Sequence, residues 1–416
     1  METIQKTKSE QLLKKVSGNV CAATGFAASG IHAGFKRKRK DLALIYSYTK
    51  STTASVYTQN KVIGAPLVIT KQHSQNGHAQ AIICNSGNAN TCNANGLEIA
   101  SDVCSILSAK LGIAQEDILV ASTGVIGQPL SLDPFKMGIP ALVEQLENTG
   151  GSHAAKAILT TDKEIKESAV EFQLGETTAR LGGISKGSGM IHPNMATMLG
   201  FITTDVAITP TALKQALKEV TTDTFNMISV DGDTSTNDMV TVLANGQLGN
   251  NEIVSDQDPD YTVFKQALHA VCEELAIAIA KDGEGASTLI TCNVSKAKTE
   301  QQAKLVAKQV ISSNLVKAAV YGRDANVGRL LCAVGYSGAE VDFQLVDISL
   351  RSRELGTVCV CEAGAIVPFD EDKAYAILGT DELFIDVSFN EGVKQATAWG
   401  CDLTYDYVKI NSAYRS

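Results

Sequence analysis

The chain has 416 residues, 44% of them hydrophobic and 19% charged, which is enough for two hydrophobic cores or one large layered core. Its formal net charge of −9 argues against a nucleic-acid partner. No apolar run approaches the roughly 18 residues of a membrane span, and the N-terminal residues lack the apolar region of a secretory signal. Ten cysteines without a CxxC pair predict mostly buried thiols in a reducing cytoplasm.

The N-terminal part is predicted to place polar turns at the ends of apolar strands. Strands are expected at 42–46 and 79–84, and the second runs into the turn-forming segment 85–90, Asn-Ser-Gly-Asn-Ala-Asn, whose amides could also bind a ligand. Helical spacing of apolar residues marks 97–112. The basic run Lys-Arg-Lys-Arg-Lys at 36–40 is interpreted as a solvated loop, because charge runs in an acidic chain usually are.

A hydroxyl and an unhindered glycine amide stand side by side at the end of the predicted strand that begins at Ile118. Thr123 and Gly124 offer the two kinds of hydrogen-bond donor that an oxyanion hole requires. Most Ser-Thr-Gly turns are structural, so this pattern alone does not assign a chemical role.

The central segment from Lys186 to Asp205 divides into two unlike halves at the bond between Ala196 and Thr197. Glycines, a proline and an asparagine before the bond predict a sharply turned backbone, whereas the apolar run after it predicts a buried strand. A threonine at this junction suits a self-processing nucleophile. Its hydroxyl would attack the Ala196 carbonyl, and the freed amine, with a pKa near about 8, would then be its base. From these residues alone, a Gly-rich turn before an ordinary core strand is favoured.

Two charged residues beside glycines are candidate ligands for a small zwitterionic substrate. Lys186, eleven residues before the candidate cleavage bond, could reach a carboxylate, and Glu284, between two glycines, could face an ammonium group. Without further support, an exposed loop lysine is the simpler interpretation of Lys186. The aspartate-rich segment 231–238 lacks the glycine and the glutamate of a calcium loop, so we interpret it as a hydrogen-bonded turn near the active site.

Several motifs, taken together, closely resemble the ornithine acetyltransferase family, the glutamate N-acetyltransferases of arginine biosynthesis. The resemblance covers roughly residues 20–416. The matching motifs are Asn85–Asn90, Thr123-Gly124, Thr160-Thr161-Asp162, the whole central segment, and Lys281-Asp-Gly-Glu-Gly-Ala286. Val327 departs from many family members, which carry a tryptophan or a similar residue at that place.

The resemblance implies a role for each matching residue. It implies an oxyanion hole, a nucleophile freed by cleavage, and substrate contacts that include two residues near the C-terminus. These are Thr123 and Gly124 for the oxyanion hole, Thr197 as nucleophile released at the Ala196–Thr197 bond, and Thr160, Lys186, Thr197, Glu284, Asn411 and Ser416 for substrate. Many members end in threonine, whose hydroxyl Ser416 retains.

The implied fold is α+β, with layered helices and sheets in an autoprocessed, N-terminal-nucleophile-like acyltransferase architecture. Cleavage would give an α chain, 1–196, and a β chain, 197–416, which stay associated and form a heterotetramer of two α and two β chains. The implied reaction moves an acetyl group from N2-acetylornithine to glutamate through an acyl-enzyme. No metal or cofactor is implied; acetyl-CoA is a second acetyl donor in bifunctional members, and the sequence leaves its use here open.

Two other functions are compatible with this sequence. The first is an aminopeptidase of the same architecture with the same cleavage chemistry. The second is a non-catalytic binding protein that keeps the fold and is never processed.

Overall fold

The computed structural model describes residues 13–192 and 198–413. The strands are β1 (Leu13–Val16), β2 (Phe26–Ile31), β3 (Leu42–Tyr57), β4 (His78–Asn88), β5 (Ile118–Val125), β6 (Lys166–Leu174), β7 (Thr177–Lys186), β8 (Leu199–Thr204), β9 (Ile228–Ser229), β10 (Met239–Ala244), β11 (Leu289–Ala297), β12 (Asp347–Ser352), β13 (Gly356–Glu362), β14 (Ala365–Ile366), β15 (Glu382–Ser388) and β16 (Lys394–Cys401). The helices are α1 (Ala65–His73), α2 (Gly96–Leu111), α3 (Asp133–Glu144), α4 (Gly151–Ile158), α5 (Pro210–Asp223), α6 (Pro259–Lys281), α7 (Glu300–Ser312), α8 (Asn314–Tyr321), α9 (Val327–Gly335), α10 (Glu371–Leu378) and α11 (Tyr405–Ser412).

The chain divides into two compact units that are discontinuous in sequence. The first unit comprises residues 1–187, 194–225 and 234–275, and the second comprises 188–193, 226–233 and 276–416. Each unit is built on its own β-sheet. The α+β fold class expected from the sequence is therefore confirmed.

The first unit is a layered structure around a nine-stranded sheet. Its strand order is β1-β6-β7-β8-β10-β3-β4-β5, and β2 also pairs with β3. Side chains alternate between the two faces of a strand, and here both faces are covered. Ala43 and Ile45 of β3 pack in a cluster that includes α4, whereas Leu42 and Leu44 pack in a cluster with α2 and α3.

The second unit contains a seven-stranded sheet in the order β14-β13-β12-β15-β11-β16-β9. Helix α7 packs on β11 and β16 through an apolar stripe that includes Val306 and Val310, both fully buried. Gly400 of β16 permits this close approach, because a Cβ there would lie only 3.0 Å from the Cβ of Ile311.

Several predicted elements are confirmed. Helix α2 matches the stripe predicted over 97–112. Thr209 caps α5 by accepting a hydrogen bond from the Ala212 amide at 3.4 Å, and Pro210 occupies the first helical position. Within the described residues, no helix is long and apolar enough to cross a bilayer.

Local capping overturns two predicted strands. The apolar residues of 341–346 predict a strand. This prediction is wrong: the side chain of Asp342 accepts a hydrogen bond from the Gln344 amide at 3.0 Å, and a 3₁₀ turn forms instead. The sequence also predicts a strand over 396–408, but the observed strand β16 ends at Cys401. Beyond it the hydroxyl of Thr404 accepts from the Tyr407 amide and starts α11.

Two cysteines differ from their expected placement. The apolar neighbours of Cys332, Leu331 and Ala333, predict a core position, but this cysteine is exposed on α9. The alternate spacing of Cys359 and Cys361 predicts that both side chains lie on one face of a strand, yet Cys359 is exposed and Cys361 is buried. The register between β12 and β13 shifts near Ile348, which breaks the alternation of side chains.

Candidate active site

The predicted oxyanion residues lie where two parallel strands of the first unit end together. Strands β4 and β5 pair so that Ser86 faces Thr123 and Gly87 faces Gly124. A buried network fixes this edge: the Ser122 hydroxyl donates to Asn85 Oδ1 at 2.6 Å. The ends of adjacent parallel strands are a common place for reactive groups, because a rigid sheet holds their side chains in register.

Asn237 supports the same strand end from a second direction. Its Nδ2 donates to the carbonyl oxygens of Ala89 at 2.6 Å and Ser122 at 3.0 Å. Its Oδ1 accepts from the hydroxyls of Thr91 and Thr236, each at 2.6 Å. Asn237 is buried, and its hydrogen bonds hold the residue that directly precedes the candidate oxyanion threonine. The sequence offered no signal for this role beyond a polar residue in an aspartate-rich turn.

Lys186 lies beside Thr123. The lysine ends strand β7 and is buried, with 8% of its surface exposed, so the exposed-loop interpretation of this residue is wrong. Its Nζ donates to Thr123 Oγ1 at 3.4 Å. Because the ammonium group occupies a lone pair of this oxygen, the hydroxyl hydrogen of Thr123 stays available for a developing negative charge.

Asp162 ties Thr160 to the lysine end of the sheet. Its Oδ2 accepts from the Thr160 amide at 2.9 Å. Its Oδ1 accepts from Lys166 Nζ at 2.8 Å and from the Gly187 amide at 2.7 Å. The structure therefore brings Thr123, Gly124, Thr160 and Lys186 to one edge of the first unit. Asp162, which the sequence marked only as part of a motif, links Thr160 to Gly187, the residue after Lys186.

The charges around Asp162 decide its ionisation. Burial alone would raise the pKa of its carboxyl group, but Lys186, Lys166 and the hydrogen bonds it accepts outweigh burial and hold that pKa well below its ordinary value. Asp162 is thus an anion throughout the neutral range, and Lys166, also buried, is its ion-pair partner.

Asp238 is the opposite case. Burial raises the pKa of its carboxyl group well above the ordinary value, against the hydrogen bonds of Ser235 and Thr58 and the charge of Lys186. Its Oδ2 has no hydrogen-bond partner among the described residues. Asp238 therefore favours its neutral form more than an ordinary aspartate does, and it keeps an unused polar atom in the interior of the first unit.

Gly124 cannot be replaced without distorting the strand pair. Its φ is +132°, and a Cβ at this position would overlap the backbone of Gly87 on the neighbouring strand. Gly127 also has a positive φ, +76°, but nothing lies within 4 Å of its Cβ position.

These two glycines give a matched test by denaturant unfolding. We expect Gly127→Ala to cost about 1–2 kcal/mol for its backbone conformation alone. Gly124→Ala should cost several kcal/mol, since overlap with Gly87 adds to the backbone strain. Equal losses in the two variants would contradict the close approach of β4 and β5 at Gly124.

The second unit holds the other two described residues of the predicted site as a hydrogen-bonded pair. Asn411 Nδ2 donates to Glu284 Oε2 at 2.7 Å. Glu284 is buried, and its amide donates to the Ser188 carbonyl at 2.8 Å. A Cβ on Gly189 would overlap the Glu284 carboxylate, so this glycine is needed where the chain passes the acid.

Asp231 holds the backbone of the same unit at residues 190 and 191. Its carboxylate accepts from the amides of Met190 at 2.6 Å and Ile191 at 2.9 Å, and from the Tyr407 hydroxyl at 3.2 Å. Met190 has φ +56°, a left-handed conformation that these hydrogen bonds hold in place. The first residue of the aspartate-rich turn, Asp231, therefore fixes the backbone at Met190 and Ile191.

Three residues of the predicted site, Ala196, Thr197 and Ser416, lie outside the described residues. The strand expected after the candidate cleavage bond is present as β8. Just before it, the Met198 carbonyl accepts from the Met239 amide at 2.8 Å.

The hydroxyl of Thr123 and the amide of Gly124, at the end of β5, are the kinds of donor that form an oxyanion hole in enzymes of acyl transfer. Residues 27–416 match the sequence model of the ArgJ family. The chain is 48% identical over 402 residues to the arginine biosynthesis bifunctional protein ArgJ of Caldanaerobacter subterraneus subsp. tengcongensis, covering 96% of this chain and 99% of that protein. It is 46% identical over 410 residues to the protein of the same name from Bacillus subtilis strain 168, covering 98% and 99%. This chain belongs to the ArgJ family, which confirms the family resemblance found in the sequence.

A crystal structure of arginine biosynthesis bifunctional protein ArgJ from Bacillus halodurans is 46% identical and covers 52% of this chain and 100% of its own, with a TM-score of 0.49.

Proposed function

We propose that this protein is an acetyltransferase of arginine biosynthesis, which moves the acetyl group of N2-acetylornithine to glutamate and yields ornithine and N-acetylglutamate. The observation that carries the proposal is the group formed by Thr123, Gly124, Thr160 and Lys186 around the buried Asp162, in a chain of the ArgJ family. The names of the relatives support arginine biosynthesis as the context.

The reaction is a double displacement at Thr197. The threonine Oγ attacks the acetyl carbonyl of N2-acetylornithine, and the Thr197 amine accepts the hydroxyl proton. The Thr123 hydroxyl and the Gly124 amide stabilise the tetrahedral oxyanion. The bond to the ornithine nitrogen then breaks, and that nitrogen takes the proton. In the second half, the amine of glutamate attacks the acetyl-threonine ester and the bond to Oγ breaks. A proton of that amine passes through the Thr197 amine to Oγ, and N-acetylglutamate is released.

The remaining predicted residues bind the amino-acid parts of the substrates. The ammonium group of Lys186 suits a substrate carboxylate, and the Thr160 hydroxyl supplies a neutral hydrogen bond beside it. The Glu284 carboxylate, held by Asn411, suits the side-chain ammonium of ornithine. Ser416 supplies a further hydroxyl.

The nucleophile arises by self-cleavage between Ala196 and Thr197. The products are the α chain, 1–196, and the β chain, 197–416, and two of each form the heterotetramer. The reaction needs neither metal nor cofactor. Acetyl-CoA serves as a second acetyl donor, in keeping with the word bifunctional in the names of the relatives.

Substrate assays distinguish the proposed acetyltransferase from the competing aminopeptidase function. The purified protein is given N2-acetylornithine with isotopically labelled glutamate and, in parallel, a set of peptide anilides. We expect labelled N-acetylglutamate and negligible anilide hydrolysis. Faster cleavage of the anilides than acetyl transfer would favour the aminopeptidase. An uncut chain inactive in both assays would favour the non-catalytic binding protein.

Glu284→Gln tests the ornithine contact. The amide keeps an oxygen for Asn411 but removes the charge, so we expect the KM for N2-acetylornithine to rise about 10- to 100-fold, as for a lost charged hydrogen bond. Glu354→Gln, an exposed change in the same unit, is the matched control. An unchanged KM in Glu284→Gln would remove this residue from the binding of ornithine.

A further inference from the structure

The basic run at 36–40 is only partly the solvated loop expected from the sequence. Lys36 and Lys40 are half-buried, and their Nζ atoms donate to backbone carbonyls. Arg39 donates to the carbonyl of Thr160 at 2.6 Å. Arg37 and Lys38 are exposed and have no hydrogen bond or ion pair within the described part of the chain.

A buried carboxylate gives this loop a fixed shape. Asp41 is fully buried and accepts from the amides of Ala33 at 2.6 Å, Gly34 at 3.2 Å and Lys36 at 2.8 Å. His32 Nδ1 lies 3.1 Å from the same carboxylate. Because these hydrogen bonds fix the conformation of the turn, the basic residues 36–40 are held together on one loop.

The nearby carboxylates of Asp41 and Glu147 act on Lys36 and Lys40, whereas the exposed Arg37 and Lys38 have no ion-pair partner in the described ranges. None of its five basic residues forms an ion pair with a carboxylate in the described ranges, since the oxygens of Asp41 are taken by backbone amides and His32. Lys156 lies close enough to Lys40 to lower the pKa of that lysine, in addition to the effect of burial. In a chain of net charge −9, the two exposed and unpaired cations Arg37 and Lys38 are a local feature that attracts anions.

The loop adjoins the candidate oxyanion hole. The Phe35 carbonyl oxygen and Lys36 Cγ stand 3.0 and 3.3 Å from where a Cβ on Gly87 would lie, and Gly87 pairs with Gly124. Lys36 is also near enough to Lys186 for the two charges to interact. One end of the loop thus lies against Gly87, beside the candidate oxyanion hole, while Arg37 and Lys38 form its exposed tip.

We propose that Arg37 and Lys38 bind the phosphate groups of an acyl-coenzyme A donor whose thioester enters the site at Thr123 and Gly124. The inference rests on the proposed acetyltransferase function and assigns its second donor a binding surface. The five-residue loop supplies cations at its tip for a nucleoside diphosphate. N2-acetylornithine and glutamate carry no phosphate, so their binding does not require a phosphate-binding surface.

The test measures the dissociation constant of coenzyme A by calorimetric titration of the full protein at two salt concentrations. The variant is Arg37→Glu with Lys38→Glu. The control, Lys110→Glu with Lys214→Glu, changes the net charge equally at two exposed lysines of the same unit. We expect at least a tenfold weaker affinity in the loop variant, an affinity near wild type in the control, and wild-type binding that weakens with salt. Arg37→Gln with Lys38→Gln serves if charge reversal prevents folding.

Two further ligands identify what the loop recognises. Pantetheine, which lacks every phosphate, should bind the wild type and the loop variant equally. ATP that binds as tightly as coenzyme A, with the same loss in the loop variant, would overturn the assignment to an acyl-coenzyme A. Equal weakening in the loop variant and the control, or no binding of coenzyme A by the wild type, would also overturn it. Transfer from N2-acetylornithine to glutamate, measured separately, still tests the proposed function in each case.

Discussion

Replacing Thr123 by alanine should lower kcat by about 10²- to 10³-fold, the usual cost of losing one oxyanion donor. Lys186 donates to the Thr123 oxygen at 3.4 Å, which leaves the hydroxyl hydrogen for the oxyanion. An alanine cannot donate, and the lysine would then face an empty space. We expect the loss in kcat with N2-acetylornithine and glutamate, measured by steady-state kinetics, because the oxyanion forms only during the reaction.

Thr123→Ser is the matched control, since it keeps the hydroxyl and removes only a methyl group. It should retain most of the wild-type kcat, and both variants should melt close to the wild type because Thr123 is only half-buried. A near-wild-type kcat in Thr123→Ala would exclude this residue from the oxyanion hole. Equal losses in both variants would point to packing of the methyl group instead.

Asp162→Asn should destabilise the protein by about 3–5 kcal/mol, the typical cost of breaking one side of a buried ion pair. Lys166 would remain buried with its charge uncompensated, and the Gly187 amide would lose its anionic acceptor. The measurement is the free energy of unfolding in urea at neutral pH. We also expect acetyl transfer to fall, because Asp162 positions Thr160 and interacts with Lys186.

Two controls define this result. Adding Lys166→Met to Asp162→Asn removes the stranded charge and should recover part of the lost stability. The pH dependence has a definite sign, since the folded pKa of Asp162 lies below the unfolded value. Its contribution is complete above the unfolded pKa of about 4 and is lost as pH falls below it. The wild type should therefore lose more stability than Asp162→Asn below about pH 4. Parallel curves would contradict the ion pair.

Elements with strong local signals were predictable from the sequence. The periodic apolar stripe of α2 and the threonine cap and proline of α5 form as expected. The apolar run after Met198 forms β8. In each case the propensity of the residues agrees with the packing around them.

What the sequence concealed depends on partners far apart in the chain. Asp162 connects to Lys166 and Gly187, and Asn237 reaches Ala89 and Ser122. Nothing in local spacing specifies such pairs, because the fold alone brings them together. The prediction of a solvated loop for the basic run at 36–40 was only partly right for a related reason. A charge pattern indicates a solvated loop, but it cannot show that backbone carbonyls elsewhere in the unit accept hydrogen bonds from three of the five basic side chains.

The most direct test of the proposed mechanism is the intact mass and N-terminal sequence of the purified protein, with Thr197→Ala alongside. We predict two fragments in the wild type, the second beginning Thr197-Met-Leu-Gly, and one uncut chain in the variant. That result would establish the free threonine amine on which both half-reactions depend. A single uncut chain in both samples would contradict the mechanism, since no amine would then be available as the base.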